Sequence, residues 1–122
     1  MKIFTSYYAK MKKCMREYAL VRVSVSMPNW FPVNLPGIPE LYPDWDLVDG
    51  IKNGSLTQEQ YTQRYQAHLA TLNKKAIISR LEQISNACGK DTVILLCYEA
   101  PDKFCHRHLV AEWLGNVKEW RE

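Results

Sequence analysis

A short apolar run that leads into a helix start rich in cysteine and histidine constrains this chain more than any other feature. Residues 92–96 (Thr-Val-Ile-Leu-Leu) are typical of a buried strand. Cys97, Tyr98 and Glu99 end the run, and after a turn a helix is predicted to begin at Cys105. Because open α/β sheets bind ligands where strand ends meet helix starts, the segment predicts an α/β fold with a functional site at this connection.

Three further segments predict the rest of the sheet. Residues 3–7 and 20–25 are short and rich in β-formers, and helix formers at 9–17 separate them. This order favours a parallel strand–helix–strand unit, and 117–120 is predicted as a short last strand. With 122 residues the chain is expected to form one domain over 1–122, with a mostly parallel sheet of about four to five strands flanked by helices.

A proline-rich segment follows the second predicted strand. Residues 27–44 contain five prolines, which exclude a regular helix or a central strand, and several aromatic residues, which argue against disorder. An ordered loop folded over the sheet is predicted, and ordered loops of this length in small domains are usually lids or binding loops.

Capping signals divide the middle of the chain into helices. A short helix is predicted from Pro43 to Lys52, and a second begins at the capping box formed by Thr57 with Gln60. A third is predicted to begin at Asn73 and to end at Gly89.

Charge and cysteine usage narrow the class of protein. The net charge of +3 is mild and no block of lysine and arginine stands out, so a nucleic-acid surface is not favoured. No apolar run could span a bilayer, and residues 1–8 have no signal-peptide pattern, so a soluble cytoplasmic protein without a membrane partner is expected. Its four cysteines, Cys14, Cys88, Cys97 and Cys105, should then be reduced.

Several motifs together resemble the domain-of-unknown-function 488 family. They are Thr5-Ser6-Tyr7-Tyr8, Pro28 with Trp30, Tyr61-x-x-x-Tyr65-x-x-x-Leu69, Leu95-Leu96-Cys97-Tyr98-Glu99, and Cys105-His106-Arg107. The resemblance covers essentially the whole chain, and the last two motifs are the most specific. It implies a small Rossmann-like α/β domain of bacteria and phages, without an established general activity.

The same strand tips predict an anion pocket. Backbone N–H groups of Cys105, His106 and Arg107, with the Arg107 guanidinium, suit a phosphate or carboxylate. Hydroxyl donors near the tips are Ser6, Ser24 and Ser26, and aromatic rings that could stack on a base are Tyr7, Tyr8, Trp30 and Tyr98. The alternative for Arg107 is an internal pair with Glu99.

The cysteines allow a covalent mechanism as well. Cys97 is a candidate nucleophile, Cys105 a candidate for a lowered thiol pKa at the helix start, and Glu99 a candidate general base. The alternative is that both cysteines are small buried hydrophobes. They are predicted to lie close together as thiols without a disulfide. No metal is predicted, because there is no Cys-x-x-Cys pair and His106 and His108 do not share a helix face.

These features favour a soluble domain that binds or processes a phosphate-bearing, nucleotide-like small molecule at the strand tips, without a further cofactor. Whether it is an enzyme or a sequestering domain is left open. The alternative is a protein-interaction module, such as a phage factor, that docks through its Trp- and Pro-rich loop.

Overall fold

The computed structural model describes residues 1–99 and 103–121, so the predicted turn at Pro101 and Asp102 lies outside the described residues. Its sheet has four parallel strands in the order β2-β3-β1-β4. The strands are β1 (Lys2–Tyr7), β2 (Ala19–Arg22), β3 (Thr92–Cys97) and β4 (Lys118–Glu119). The chain therefore has the predicted α/β architecture, consistent with a Rossmann-like fold.

Five α-helices flank this sheet in the described part of the chain. They are α1 (Tyr8–Met11), α2 (Trp45–Asn53), α3 (Gln58–Ala70), α4 (Lys74–Cys88) and α5 (His106–Trp113), with 3-10 turns at Lys12–Cys14 and Pro39–Leu41. The capping box at Thr57 and the Asn73 cap are confirmed. Gly54 and Gly89 end α2 and α4 with positive φ angles of 81° and 67°, which glycine adopts without a Cβ clash.

The most apolar strand, β3, lies at the centre of the sheet. It pairs with β1 over its whole length, Lys2 opposite Thr92 through Tyr7 opposite Cys97, and with β2 on its other side. The prediction that these three strands share one parallel sheet is confirmed. The first two strands are not adjacent, however, because β3 is inserted between them; a strand buried on both faces is best placed away from the edge.

Some predicted elements are shorter in the structure. The helix predicted over 9–17 is a single α turn followed by a 3-10 turn, in a run where Lys10, Lys12, Lys13 and Arg16 repel one another without an acidic residue in the first turn. The predicted strand 20–25 leaves β structure after Arg22, and the predicted strand 117–120 is reduced to two residues.

Alternation along the strands creates a core on each face of the sheet. Val93, Leu95 and Cys97 of β3 pack in the larger cluster with side chains of α2 to α5. Ile94 and Leu96 point to the smaller cluster. The proline-rich loop contributes to both: Phe31 is buried in the smaller cluster, and Ile38 and Leu41 are buried in the larger. Among the residues described, no helix is both long and apolar enough to cross a membrane.

Candidate functional site

A cavity of about 360 Å³ opens at the carboxyl end of β2 and β3. One wall is the chain that leaves the two strands, another is the start of α5, and a third is the apolar face of α2. The lining residues are Ser24, Val25, Ser26, Pro43, Trp45, Val48, Ile51, Lys52, Tyr61, Cys97, Tyr98, Glu99, Phe104, Cys105 and His106. The site therefore lies at the strand tips, where ligands bind in open parallel sheets.

Two cysteines meet at the cavity. Cys97 is the last residue of β3, and Cys105 is the N-cap of α5. Both side chains are buried, and their sulfurs form a disulfide with the Cα atoms 7.2 Å apart. The prediction that the two residues lie close together is confirmed. The prediction that they stay unbonded thiols is wrong in this structure, because the end of β3 and the start of α5 lie close enough for the two sulfurs to bond.

The imidazole of His106 lies against this pair of cysteines. Its Nδ1 is 3.5 Å from Cys97 Sγ and 3.9 Å from Cys105 Sγ. Its Nε2 is 2.6 Å from the backbone oxygen of Val23, a carbonyl that can only accept, so Nε2 carries the proton. Burial lowers the pKa of His106 to about 4, which keeps the ring neutral near pH 7. Its Nδ1 lone pair consequently faces the two sulfurs.

The three side chains Cys97, Cys105 and His106, named here the Cys–His cluster, place two sulfurs and Nδ1 within 4.8 Å of one another. No metal was predicted, because the sequence has no Cys-x-x-Cys pair and His106 and His108 do not share a helix face. In the structure the ligand-type atoms come instead from a strand end and a helix start, and the predicted proximity of Cys97 and Cys105 brings them together with His106 without that spacing.

The Arg107 side chain is fully buried, and its guanidinium is turned into the protein. Its Nε and Nη2 donate to the two carboxylate oxygens of Glu119 at 3.2 and 3.1 Å, and its Nη1 donates to the backbone oxygen of Glu99. The alternative prediction, an internal ion pair of Arg107 with Glu99, is confirmed as to the internal pair but wrong as to its partner. The paired carboxylate belongs to Glu119 on β4. Arg107 does not line the cavity, although the expected anion pocket included it.

Four other predicted ligand-binding residues also lie outside the cavity lining. Ser6 is buried in β1, and Tyr7 lies under the Arg107 guanidinium at 5.9 Å from Cζ to the ring centre. Tyr8 belongs to the smaller core, and Trp30 is exposed on the proline-rich loop, with the Lys12 ammonium 5.7 Å from its ring centre.

The remaining predicted residues do reach the cavity. Ser24, Ser26, Tyr98 and Glu99 line it together with the Cys–His cluster. Ser26 Oγ lies 3.0 Å from the Tyr98 hydroxyl, and Ser24 Oγ donates to the Ser26 backbone oxygen at 2.6 Å. Ser24 also lies 2.5 Å from the hydroxyl of buried Tyr8, whose pKa burial raises to about 12.

The residues of the α2 wall are not among those predicted from the sequence. Trp45, Val48, Ile51 and Lys52 line the cavity from this helix. The available signal was the spacing of Val48, Ile51 and Lys52, which places them on one face of the helix predicted after the proline-rich loop.

Comparison with known proteins identifies the family but no individual relative. No curated protein and no solved structure matches the chain. The family model described as the active DUF488-N3 subclade matches residues 8–118, which include every cavity-lining residue. The resemblance found in the motifs is thus confirmed, and the chain belongs to the DUF488 family, in its N3 subclade.

Proposed function

We propose that this protein binds a nucleotide-like small molecule, a planar ring carrying an anionic group, in the cavity and acts on it at the Cys–His cluster. The carrying observation is that the cluster forms part of the wall of a cavity of about 360 Å³ at the strand tips. Most of the other lining residues are apolar or aromatic, the usual composition of a small-molecule site with a few polar groups that orient the ligand.

Two aromatic side chains at the cavity suit a planar ring. Trp45 is 56% exposed although it follows a core-forming loop, and Tyr98 is a second exposed aromatic residue of the lining. Large exposed aromatics at a cavity are the surfaces on which bases stack. They support a ring-bearing ligand rather than a plain anion.

Lys52 and the start of α5 supply positive potential. Lys52 is the lysine in the cavity lining, and the backbone at Cys105 and His106 begins an eight-residue helix there. Arg107 is already paired with Glu119, so the anionic group is assigned to Lys52 and the helix start. Lys52 and the start of α5 thus take the anion-binding role that the sequence analysis gave to the Arg107 guanidinium.

The Cys–His cluster supplies the reactive atoms. Once the disulfide is reduced, each sulfur can become a thiolate, and the lone pair of the neutral His106 Nδ1 lies beside both of them. The description of the subclade as active favours an enzyme over a sequestering domain. We place the protein in the cytoplasm, since Cys88 is exposed outside any disulfide and a reducing compartment suits such a thiol.

The test compares two exposed tryptophans. Binding of a panel of nucleosides, nucleoside phosphates and inorganic phosphate is measured by calorimetry. Trp45→Ala should weaken nucleotide binding by roughly 5- to 160-fold, because stacking contributes about 1–3 kcal/mol per base. Trp30→Ala is the matched control, since Trp30 is 48% exposed but lies outside the cavity lining.

Two lysine variants, one in the cavity and one outside it, test the charge assignment. Lys52→Gln should weaken nucleotides about two- to fivefold and leave uncharged nucleosides unchanged, because an exposed ion pair contributes about 1 kcal/mol or less. Lys75→Gln, an exposed lysine of α4, should change neither. Failure of the whole panel to bind, or equal losses in Trp45→Ala and Trp30→Ala, would overturn the proposal.

The alternative interaction module finds less support in the loop. Phe31, Ile38 and Leu41 of the proline-rich segment are buried in the two cores. Most of the large apolar side chains of the loop therefore pack within this protein. Trp30 and Val33 stay exposed, but scattered exposed apolar residues are common on protein surfaces and do not define a docking site.

A further inference from the structure

We infer that the reduced protein binds one divalent metal ion, of the zinc type, through Cys97 Sγ, Cys105 Sγ and His106 Nδ1, with a fourth position open to the cavity. Two thiolates and an imidazole are the ligand types that this class of ion prefers. Metal binding stands on its own evidence; what the ion does there rests on the proposed function.

The distances from His106 Nδ1 to the two sulfurs fit a tetrahedral site. Ligands at the usual zinc distances, about 2.3 Å for sulfur and 2.0–2.1 Å for nitrogen, lie roughly 3.6 Å apart from sulfur to nitrogen across a tetrahedral edge. The observed separations from Nδ1 are 3.5 Å to Cys97 Sγ and 3.9 Å to Cys105 Sγ. An ion can therefore be placed among these atoms with little movement of the imidazole.

The two sulfurs must separate before they can share an ion. Reduction of the disulfide by a dithiol takes two electrons and two protons from the reductant and yields two thiols. Metal binding then releases those two protons. The Cα atoms are 7.2 Å apart, beyond the usual range of about 4.4–6.8 Å for bonded cysteines, so the backbone leaves room between the two thiolates.

The orientation of His106 is the one that metal-ligating histidines show. Such residues nearly always donate their second ring N–H to a carboxylate, a backbone carbonyl or a water, which fixes the tautomer. Here Nε2 donates to the Val23 backbone oxygen at 2.6 Å, and Nδ1 is left to face the sulfurs. The residue after β2 thus holds the imidazole in the ligating position.

Three protein ligands and an open position are the arrangement of catalytic rather than structural zinc sites. Ser24 also lines the cavity nearby, but its Oγ is already engaged, because it donates to the Ser26 backbone oxygen and contacts the Tyr8 hydroxyl. The three ligand atoms all belong to cavity-lining residues, so an exogenous ligand can complete the coordination from that side. An anionic oxygen of a bound small molecule fits this position.

Cobalt(II) provides the test, because it occupies zinc sites and absorbs light. The full chain is reduced with dithiothreitol, freed of reductant without oxygen and titrated with CoCl2. We expect one equivalent to give the visible bands of tetrahedral cobalt and near-ultraviolet thiolate-to-cobalt absorption, and one equivalent of ZnCl2 to abolish both. Oxidised protein should give neither signal. Reduced protein that shows no thiolate-to-cobalt absorption overturns the inference.

Variants assign the ligands. Cys97→Ser, Cys105→Ser and His106→Gln should each weaken cobalt binding at least 100-fold, whereas Cys88→Ser and His68→Gln are matched controls that should leave it unchanged. A second measurement does not depend on the variants folding: one equivalent of ZnCl2 should slow alkylation of Cys97 and Cys105 in the wild type at least tenfold and leave Cys88 unaffected. Equal protection of all three, or none, contradicts the site.

The result is separable from that of the proposed function. Nucleotide binding to the oxidised protein, compared between wild type and Trp45→Ala, tests the cavity without a metal. Cobalt spectra without any nucleotide test the cluster. Either experiment can therefore fail while the other succeeds, and each failure removes one proposal only.

Discussion

The buried ion pair between Arg107 and Glu119 gives the sharpest stability prediction. Arg107 is 0% exposed and Glu119 13%, and two hydrogen bonds of 3.1 and 3.2 Å join their side chains. Glu119 Oε1 also accepts from the Thr5 hydroxyl at 3.0 Å. The substitution Glu119→Gln keeps the shape and one acceptor oxygen but removes the charge.

The cost follows from what glutamine can still do. Its Oε1 can accept from Arg107 Nε and from Thr5, but its NH2 group replaces the acceptor opposite Arg107 Nη2, so two donors face each other. One charge-assisted bond contributes about 1.5–3 kcal/mol, and a buried pair that loses one partner costs about 3–5 kcal/mol. Because one acceptor remains, we expect the free energy of unfolding to fall by about 3 kcal/mol.

Urea unfolding of the oxidised protein, followed by circular dichroism, measures this difference. Unfolding entropies of about 2.1 cal/mol/K per residue over 122 residues make 1 kcal/mol equivalent to a shift of about 4 °C in Tm, so Glu119→Gln should melt about 12 °C lower. Glu40→Gln is the control. Glu40 pairs with Arg80 on the surface and is 43% exposed, so its loss should cost less than about 1 kcal/mol.

A double variant tests whether the lost stability comes from leaving one buried charge without its partner. Arg107→Met combined with Glu119→Leu removes both charges and should recover much of the lost stability, because apolar replacements of a buried pair are often neutral. If Glu119→Gln costs no more than Glu40→Gln, the guanidinium reaches water or another acceptor, and the account of Arg107 as an internal structural residue is wrong.

Three smaller predictions follow from single contacts. Thr57→Ala removes the hydroxyl that accepts from the Gln60 N–H and should cost about 1 kcal/mol in urea unfolding, with serine restoring it. Tyr65→Phe leaves the buried Leu41 oxygen without its phenol donor and should cost about 1–3 kcal/mol by the same assay. The pKa of Tyr8, raised to about 12, implies stability that is present below pH 10 and lost as the pH rises toward 12; a pH series of unfolding midpoints should show a smaller loss in Tyr8→Phe.

Local signals in the sequence predicted most of the fold because they act over a few residues. The capping box at Thr57 and the Asn73 cap need only neighbouring side chains and backbone, and both are present. Strand order is a different matter. The position of β3 between β1 and β2 depends on which strand gains most from burial on both faces, a property of the whole sheet.

The candidate site was predicted in location but not in its contacts. Cys97 belongs to one motif and Cys105 and His106 to the next, and the structure brings all three together at the cavity. The partner of Arg107 could not be found in the same way, because Glu119 belongs to a two-residue edge strand with almost no sequence signature. Glu99 was the nearer acid in sequence, yet its backbone oxygen rather than its carboxylate meets the guanidinium.

The start of α5 connects the site to every strand of the sheet. Cys105 is the extended N-cap residue, and successive residues of the helix that follows point about 100° apart, so Cys105, His106 and Arg107 leave the helix start in different directions. Cys105 bonds to the end of β3, His106 donates to the backbone just after β2, and Arg107 reaches β4 through Glu119, whose carboxylate also accepts from β1. The position of the His106 imidazole therefore depends on contacts on both sides of it. Glu119→Gln weakens the contact of Arg107 with β4, so we expect it to change the geometry of the Cys–His cluster although it alters none of the cluster's atoms. The thiolate-to-cobalt absorption of that variant measures this change.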